Sequence, residues 1–169
     1  MAKLNSAVRL KVGPNSTSTS YGAGTNGLAN IQLDFARIWT QDNFGTCFFH
    51  MKTNIAVKSD IMIMIEAEGY NYGQSQPIRC AWTHYLYNAP NIVDIYNPAQ
   101  HNTAYTGLTA ERQYASVDGF LVIVGTALTS YYCGFNLTAY LLNPANTNNS
   151  GQTISITNYA VVNTTGAQY

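Results

Sequence analysis

Hydrophobic and polar residues alternate along much of the chain, most clearly in "IMIMIEAEGYNYG", residues 61–73. Successive side chains of a strand point to opposite faces of a sheet, so Ile61, Ile63 and Ile65 would face a core. The other face would carry Met62, Met64, Glu66, Glu68 and Tyr70. The pattern therefore predicts a strand with one apolar face and one face of mixed chemistry.

Short segments of similar character recur between turn residues. They are "NIQLDFARIW", "TCFFHMKTNIAV", "PIRCAWTHYLY", "GFLVIVGTAL", "YYCGFNLTAYLL" and "QTISITNYAVV". Many short strands with turns about every ten residues are typical of antiparallel sandwiches. We therefore predict an all-β fold: a single antiparallel β-sandwich, jelly-roll-like, with eight or nine strands.

Two segments indicate which side chains face the core. In "PIRCAWTHYLY" the inward set is Ile78, Cys80, Trp82, His84 and Leu86, and the outward set is Arg79, Ala81, Thr83, Tyr85 and Tyr87. In "NIQLDFARIW" the expected inward set is Ile31, Leu33 and Phe35. "GFLVIVGTAL" is apolar throughout, so we expect it to be buried on both faces.

The domain organisation follows from composition. Residues 1–30 combine a short strand, "AVRLKV", with a Gly-, Ser-, Thr- and Asn-rich stretch that predicts a flexible arm. Residues 31–169 form the predicted sandwich domain. Within it, "GLTAERQYAS" indicates a helix, and residues 88–103 predict a loop that contains one short strand, "NIVDIY".

Composition excludes several classes of function. The formal net charge is zero and only 9% of residues are charged, so we expect no nucleic-acid partner. No apolar segment approaches the ~20 residues of a membrane helix, and no export signal is visible, so we expect no membrane insertion. The three cysteines are widely spaced, which predicts thiols packed as small apolar groups.

Catalytic motifs are missing from the sequence, and we expect no cofactor, no metal and no enzymatic activity. Glu66 and Glu68 are the exception to consider, because same-face neighbours on a strand lie ~6.5 Å apart, a separation used by glycosidases. Both would project in parallel from one strand, however, which suits a pair flanking a scissile bond poorly. Ion pairing with Arg79 or Lys58 is the alternative.

A tyrosine-rich hairpin is the strongest indication of binding. Its candidate ligand-binding residues are Tyr70, Tyr72, Arg79, Tyr85 and Tyr87. Tyrosine rings combine apolar area with a hydroxyl, which suits an uncharged ligand such as a sugar. The alternative is that these rings pack across strands or between subunits.

The strings "DIMIMIEAEGYNYG", "PIRCAWTHYLY", "SVDGFLVIVG" and "YYCGFNLTAY" resemble a module of bacteriophage tail-fibre and virion structural proteins. The resemblance implies a receptor-binding tip domain, a homotrimer with Met62 and Met64 at the subunit contact. Its expected partners are other virion tail or capsid proteins and a host cell-surface glycan. A virion protein made in the host cytoplasm and released by lysis needs no export signal. A decoration or adaptor protein without a receptor, and a polysaccharide-degrading enzyme, are the alternatives.

Overall fold

The computed structural model describes residues 3–5, 9–12, 31–40, 45–57, 61–86, 96–104, 106–128, 132–141 and 154–169. These residues form eleven strands and one 3-10 turn, Tyr72–Gln74. The larger sheet contains β1 (Lys3–Asn5), β2 (Arg9–Val12), β3 (Ile31–Thr40), β5 (Ile61–Asn71), β6 (Gln76–Leu86), β7 (Tyr96–Asn102) and β10 (Cys133–Leu141). The smaller sheet contains β4 (Cys47–Ala56), β8 (Thr109–Ala115), β9 (Phe120–Ala127) and β11 (Ile156–Val162).

The strand order confirms an all-β sandwich. In the larger sheet it is β3-β10-β5-β6-β7, with β1 and β2 both paired to β3, and in the smaller sheet it is β11-β4-β9-β8. Among the described strands the chain changes sheet five times: between β3 and β4, β4 and β5, β7 and β8, β9 and β10, and β10 and β11. The pair β4–β9 is thereby nested inside the pair β3–β10, which gives the sandwich a jelly-roll-like connectivity.

The core lies between the two sheets and contains the residues that alternation assigns to it. Ile63 and Ile65 of β5 are buried, as are Ile78, Cys80 and Trp82 of β6. The Trp82 indole also donates a hydrogen bond to the carbonyl of Val124, 2.9 Å away on β9. This bond joins the two sheets, and it satisfies a polar atom that would otherwise be buried without a partner.

Strand β9 is buried on both faces, as its continuous apolar sequence predicts. Leu121 and Ile123 face the main core, whereas Val122 and Val124 belong to a second apolar cluster with Tyr114. Tyr169 packs against this second cluster. The segment 163–169 therefore covers the outer face of the smaller sheet, which explains why β9 lacks polar alternation.

The alternation in β3 shifts by one position. The register pairs Leu137 with Ala36 and Thr138 with Asp34, so Phe35 is an extra residue in the ladder. A bulge of this kind reverses the faces of the residues that follow it. Ala36 and Ile38 are accordingly buried, and Arg37 and Trp39 are exposed. The inward set Ile31, Leu33 and Phe35 lies outside the residues whose side chains are described.

The helix expected in "GLTAERQYAS" is wrong, because Thr109–Ala115 is a strand paired with β9. A register shift leaves Glu111 unpaired between Ala110 and Arg112. The bulge breaks the alternation that would have identified the strand, and pairing with β9 overrides the local preference of Ala, Glu, Arg and Gln for helix.

The loop expected over residues 88–103 is wrong in part, because Tyr96–Asn102 is β7, the edge strand of the larger sheet. Pro98 lacks an N–H group, and an edge strand is where a sheet tolerates this loss. Most of "NIVDIY" and the expected flexible arm lie outside the described residues. The expected strand in "AVRLKV" is β2, which pairs with β3.

Candidate functional site

The mixed face of β5 lies on the outer face of the larger sheet, the face directed away from the smaller sheet. Ile63 and Ile65 are buried on the inner face, as predicted, and Ala67 is buried there too. The outer residues Met62, Met64, Glu66, Glu68 and Tyr70 are half-buried or exposed. Because the sheet is antiparallel, each outer residue shares a row with those directly opposite it on β10 and β6.

The row at one end of this face is aromatic. Trp39 of β3 is opposite Gly134 of β10, which is opposite Tyr70 of β5. A Cβ atom added to Gly134 would lie 3.2 Å from Cδ1 of Trp39, so the indole lies against the glycine. The missing side chain makes room for the indole between β3 and β5.

Two further tyrosines complete this surface. The Tyr72 and Tyr132 rings pack edge to face with centroids 5.7 Å apart. Trp39, Tyr70, Tyr72 and Tyr132 are 36%, 50%, 55% and 45% exposed, respectively. We call these four residues the aromatic platform. They are four of the seven large hydrophobic side chains that are exposed among the described residues, so the platform concentrates exposed apolar area at one place.

Local backbone geometry holds the platform in position. Tyr72 begins the 3-10 turn that joins β5 to β6, and its N–H donates to the carbonyl of Tyr132 at 3.3 Å. The buried Asn71 anchors this turn by donating to the carbonyl of Gly107 at 2.9 Å. Tyr132 has a φ of 49°, a left-handed conformation that costs a non-glycine residue about 1–3 kcal/mol and is found more often at functional sites.

A cleft of about 180 Å³ lies beside the platform. Its floor includes Ala81, whose neighbours in the same row are Glu66 on β5 and His101 on β7. A short side chain between two longer ones leaves the space. The residues lining it are Glu66, Ala67, Glu68, Arg79, Cys80, Ala81, His101, Asn102 and Thr103.

Charges in the cleft are partly paired. Arg79 Nε lies 3.7 Å from a carboxylate oxygen of Glu68, and both side chains are mostly exposed. This ion pair is the alternative that the sequence offered for Glu68. Glu66 is half-buried and makes no hydrogen bond or ion pair with any residue that the structure describes. The two carboxylates project from the same side of one strand, as expected.

The predicted ligand-binding residues separate into two groups. Tyr70 and Tyr72 belong to the platform, and Arg79 lines the cleft next to it. Tyr85 is half-buried on β6, where it pairs with Met62 of β5. Met62 is eight residues away from Tyr70 along β5. At about 3.4 Å per residue this places Tyr85 roughly 27 Å from the platform. Tyr87 lies outside the described residues.

Sequence reasoning missed Trp39, Tyr132, Gly134 and His101 as parts of this surface, and it placed Ala81 on the outward face without giving it a role. These residues come from four strands or their ends, and only the pairing of β3, β10, β5, β6 and β7 brings them together. The bulge at Phe35 also places Trp39 on the outer face. The one signal available in the sequence was the alternation within β10, which sets Gly134 and the buried Phe135 on opposite faces.

The buried titratable groups are poorly suited to catalysis. Burial raises the pKa of the Cys80 and Cys133 thiols to about 12, so neither is a thiolate nucleophile at neutral pH. Burial lowers the pKa of His84 to about 4 despite the opposing effect of the nearby Gln113 side chain, and neither ring nitrogen makes a well-formed hydrogen bond with a described residue. All three cysteines are buried thiols that pack in the main core, as predicted.

His50 is held in one tautomer by the segment 163–169. Its Nε2 lies 2.9 Å from the carbonyl oxygen of Thr164, which can only accept, so this nitrogen carries the proton. Its Nδ1 then accepts from the Tyr114 hydroxyl at 3.1 Å. Burial lowers the pKa of His50. Its Nε2 fastens the segment to the smaller sheet directly, and the Tyr114 hydroxyl of β8 makes a second link by accepting from the Gln168 N–H at 3.0 Å.

No group of three His, Cys, Asp or Glu side chains within the described ranges is arranged to hold a metal ion. No helix in the same part of the chain is long and apolar enough to cross a membrane.

Comparison of the chain with family models, with curated proteins and with solved structures gives no match. What the site can bind is therefore inferred from its own geometry and chemistry.

Proposed function

We propose that this protein is a bacteriophage virion protein that binds a glycan on the host cell surface, at the tip of a tail fibre or in a related structure. The observation that carries the proposal is the aromatic platform. Its rings offer flat apolar area, and tyrosine hydroxyls can bond sugar hydroxyls at low cost in side-chain entropy. The resemblance of the sequence to tail-fibre modules supports the virion context.

The arrangement of the two carboxylates favours a protein that binds the glycan without hydrolysing it. Glycosidases place two carboxyl groups on either side of the scissile bond. Glu66 and Glu68 are instead two residues apart on one strand and point the same way, and Glu68 lies beside Arg79. A sugar in the cleft would meet both carboxylates from the same side.

We also propose that the protein assembles as a homotrimer through the other end of the same face. Met62 is 42% exposed there, and Met64, Tyr85 and Tyr140 are half-buried near it. Methionine packs adaptably, which suits a contact between subunits. The contact would lie far enough from the platform to leave the rings accessible to a receptor.

The experiment is a glycan array of bacterial surface polysaccharides, followed by binding of the protein to cells that display the glycans it retains. Tyr72→Ala and Tyr70→Ala should each weaken binding at least tenfold, or ~1.4 kcal/mol. Their melting temperatures should stay near wild type, because both rings are about half exposed.

Leu128→Ala is the matched control, since Leu128 is 66% exposed and follows β9 of the smaller sheet. It should bind as wild type does. If both tyrosine variants fold, assemble and bind normally, the platform is not the receptor site. Association with virion proteins and with no glycan would favour the adaptor alternative, and release of shorter oligosaccharides would favour the enzyme.

A further inference from the structure

We propose that the cleft is a second sugar subsite, so that the ligand is a linear glycan lying along β5 and β6. We further infer that Glu66 makes this subsite select neutral or amino sugars over acidic ones. The inference rests on the proposed function of the aromatic platform, and it adds the length and the charge class of the ligand.

Continuity between the platform and the cleft is the first reason. Tyr70, Glu68 and Glu66 are successive outward residues of β5, and Pro77, Arg79 and Ala81 lie opposite them on β6. Four residues at about 3.4 Å each separate Tyr70 from Glu66 by roughly 14 Å. A ligand that contacts both must be elongated along the strands.

The size of the cleft is the second reason. Its volume of about 180 Å³ is more than ten times the ~15 Å³ that one water molecule requires. Ala81 supplies part of the floor, and Glu66 and His101 rise on either side of it. The space therefore admits a group of about the size of a sugar ring.

Few of the polar groups around the cleft are available to a ligand. The Asn102 amide exchanges two hydrogen bonds with the backbone of Ala110, at 2.6 and 3.2 Å. The Thr103 hydroxyl donates to the carbonyl of Arg79, and His101 Nε2 lies 3.1 Å from the Thr83 hydroxyl. The carboxylate of Glu66 and the loosely associated Glu68–Arg79 pair remain.

The charge balance of these remaining groups sets the selectivity. Two carboxylates and one guanidinium leave the cleft with a formal charge of −1, and Glu66 is the half-buried carboxylate that lacks a cation beside it among the described residues. A carboxylate accepts bonds from hydroxyl or ammonium groups but repels another anion. A uronic acid or a phosphorylated sugar would therefore be disfavoured next to Glu66.

The test uses an array of linear oligosaccharides of one to six units, made of neutral hexoses, N-acetylhexosamines, hexosamines or uronic acids. Wild-type protein should bind its best trisaccharide at least tenfold more tightly than the monosaccharide, and should bind the corresponding uronate at least tenfold more weakly than the neutral chain. Glu66→Gln keeps the shape and removes the charge, so the uronate should then bind within threefold of the neutral chain.

Ala81→Leu fills the cleft and should remove the preference for longer chains while monosaccharide binding at the platform remains. His101→Trp blocks the same cleft from its exposed rim and should have the same effect. This variant replaces Ala81→Leu in the test if the leucine variant does not fold. Glu111→Gln makes the same chemical change as Glu66→Gln on the other sheet, and it should alter neither preference.

The outcomes separate this inference from the proposed function. If wild-type protein binds glycans through the platform but shows no dependence on chain length, or if Glu66→Gln leaves the discrimination against uronates intact, the subsite is wrong and the proposed function stands. If no glycan is retained, or if Tyr70→Ala and Tyr72→Ala both fold, assemble and bind normally, the proposed function itself is wrong.

Discussion

Two neighbouring glycines on β5 and β10 have different roles. A Cβ atom at Gly69 would lie 2.6 Å from Cα of Phe135, so this position needs a residue without a side chain for Phe135 to pack in the core. At Gly134 the nearest atom to an added Cβ is Cδ1 of the partly exposed Trp39, at 3.2 Å. Backbone cannot move aside easily, whereas an exposed ring can.

Gly69→Ala should therefore lower the free energy of unfolding by about 1–3 kcal/mol, the usual cost of overpacking. Gly134→Ala should lower it by less than about 1 kcal/mol, because the Trp39 ring can shift outward. Urea unfolding of both variants measures the difference. Equal losses of stability in the two variants would mean that the close approach at Gly69 is not what determines the packing of Phe135.

His84 should make the stability of the fold sensitive to acid. Burial lowers its pKa from 6.5 to about 4, so between these values the unfolded protein binds a proton that the folded protein does not. The free energy of unfolding should then fall as the pH drops from about 6.5 towards 4, by roughly 3 kcal/mol. Protonation of His50, whose pKa is also lowered, acts in the same direction.

Urea unfolding at several pH values tests this dependence, with His84→Leu as the comparison. The leucine variant cannot be protonated at that position, so its free energy of unfolding should change much less between pH 6.5 and 4. Identical pH profiles for wild type and His84→Leu would mean that protonation of His84 does not cause the loss of stability at low pH.

One side chain, Gln113, connects β8 of the smaller sheet to β6 and β7 of the larger sheet. The pairing of β6 with β7 has a register shift between Thr83 and Tyr85 of β6, opposite the stretch of β7 that contains Pro98. The Gln113 amide of β8 donates to the carbonyls of Thr83 and Ala99, at 3.1 and 3.2 Å. Gln113 thus satisfies two backbone acceptors of the larger sheet from a strand of the smaller one.

Gln113→Ala should lower the free energy of unfolding by about 1–3 kcal/mol, because it leaves two partly buried carbonyls without this donor. Glu111→Ala is the control, since Glu111 is an exposed bulge residue on the same strand, and it should change stability by no more than about 0.5 kcal/mol. Thermal or urea unfolding measures both. A Gln113→Ala variant as stable as wild type would show that other groups satisfy these carbonyls.

These elements also show what the sequence could predict. Regular alternation identified β5, β6 and the core position of Trp82, and the continuous apolar run identified β9, because burial alone produces those patterns. The strands β3, β7 and β8 carry a bulge, a proline or helix-favouring residues, and their pairing partners override those local signals. The site was predictable only where it is local: Tyr70, Tyr72 and Arg79 lie on one hairpin, whereas Trp39 and Tyr132 reach it through long-range pairing.

The whole molecule presents two distinct ends on the outer face of its larger sheet, one aromatic and one rich in methionine. The proposed trimer should have three chain masses by light scattering at micromolar concentration. Met62→Glu should weaken it, because burying an unpaired charge at a subunit contact costs several kcal/mol. Met62→Leu is the control and should assemble normally. A monomeric wild-type protein would contradict the proposed assembly.

Tryptophan emission tests whether the aromatic platform contacts a glycan ligand, as we propose. The chain has two tryptophans: Trp82 is fully buried in the core, and Trp39 is 36% exposed in the platform. Acrylamide should quench Trp39 in the free protein, and the glycan retained on the array should protect it in a saturable way with the affinity measured by cell binding. Trp39→Phe should lose both the quenching and the protection. Saturable glycan binding that leaves the accessibility of Trp39 unchanged would mean that the glycan binds away from the aromatic platform.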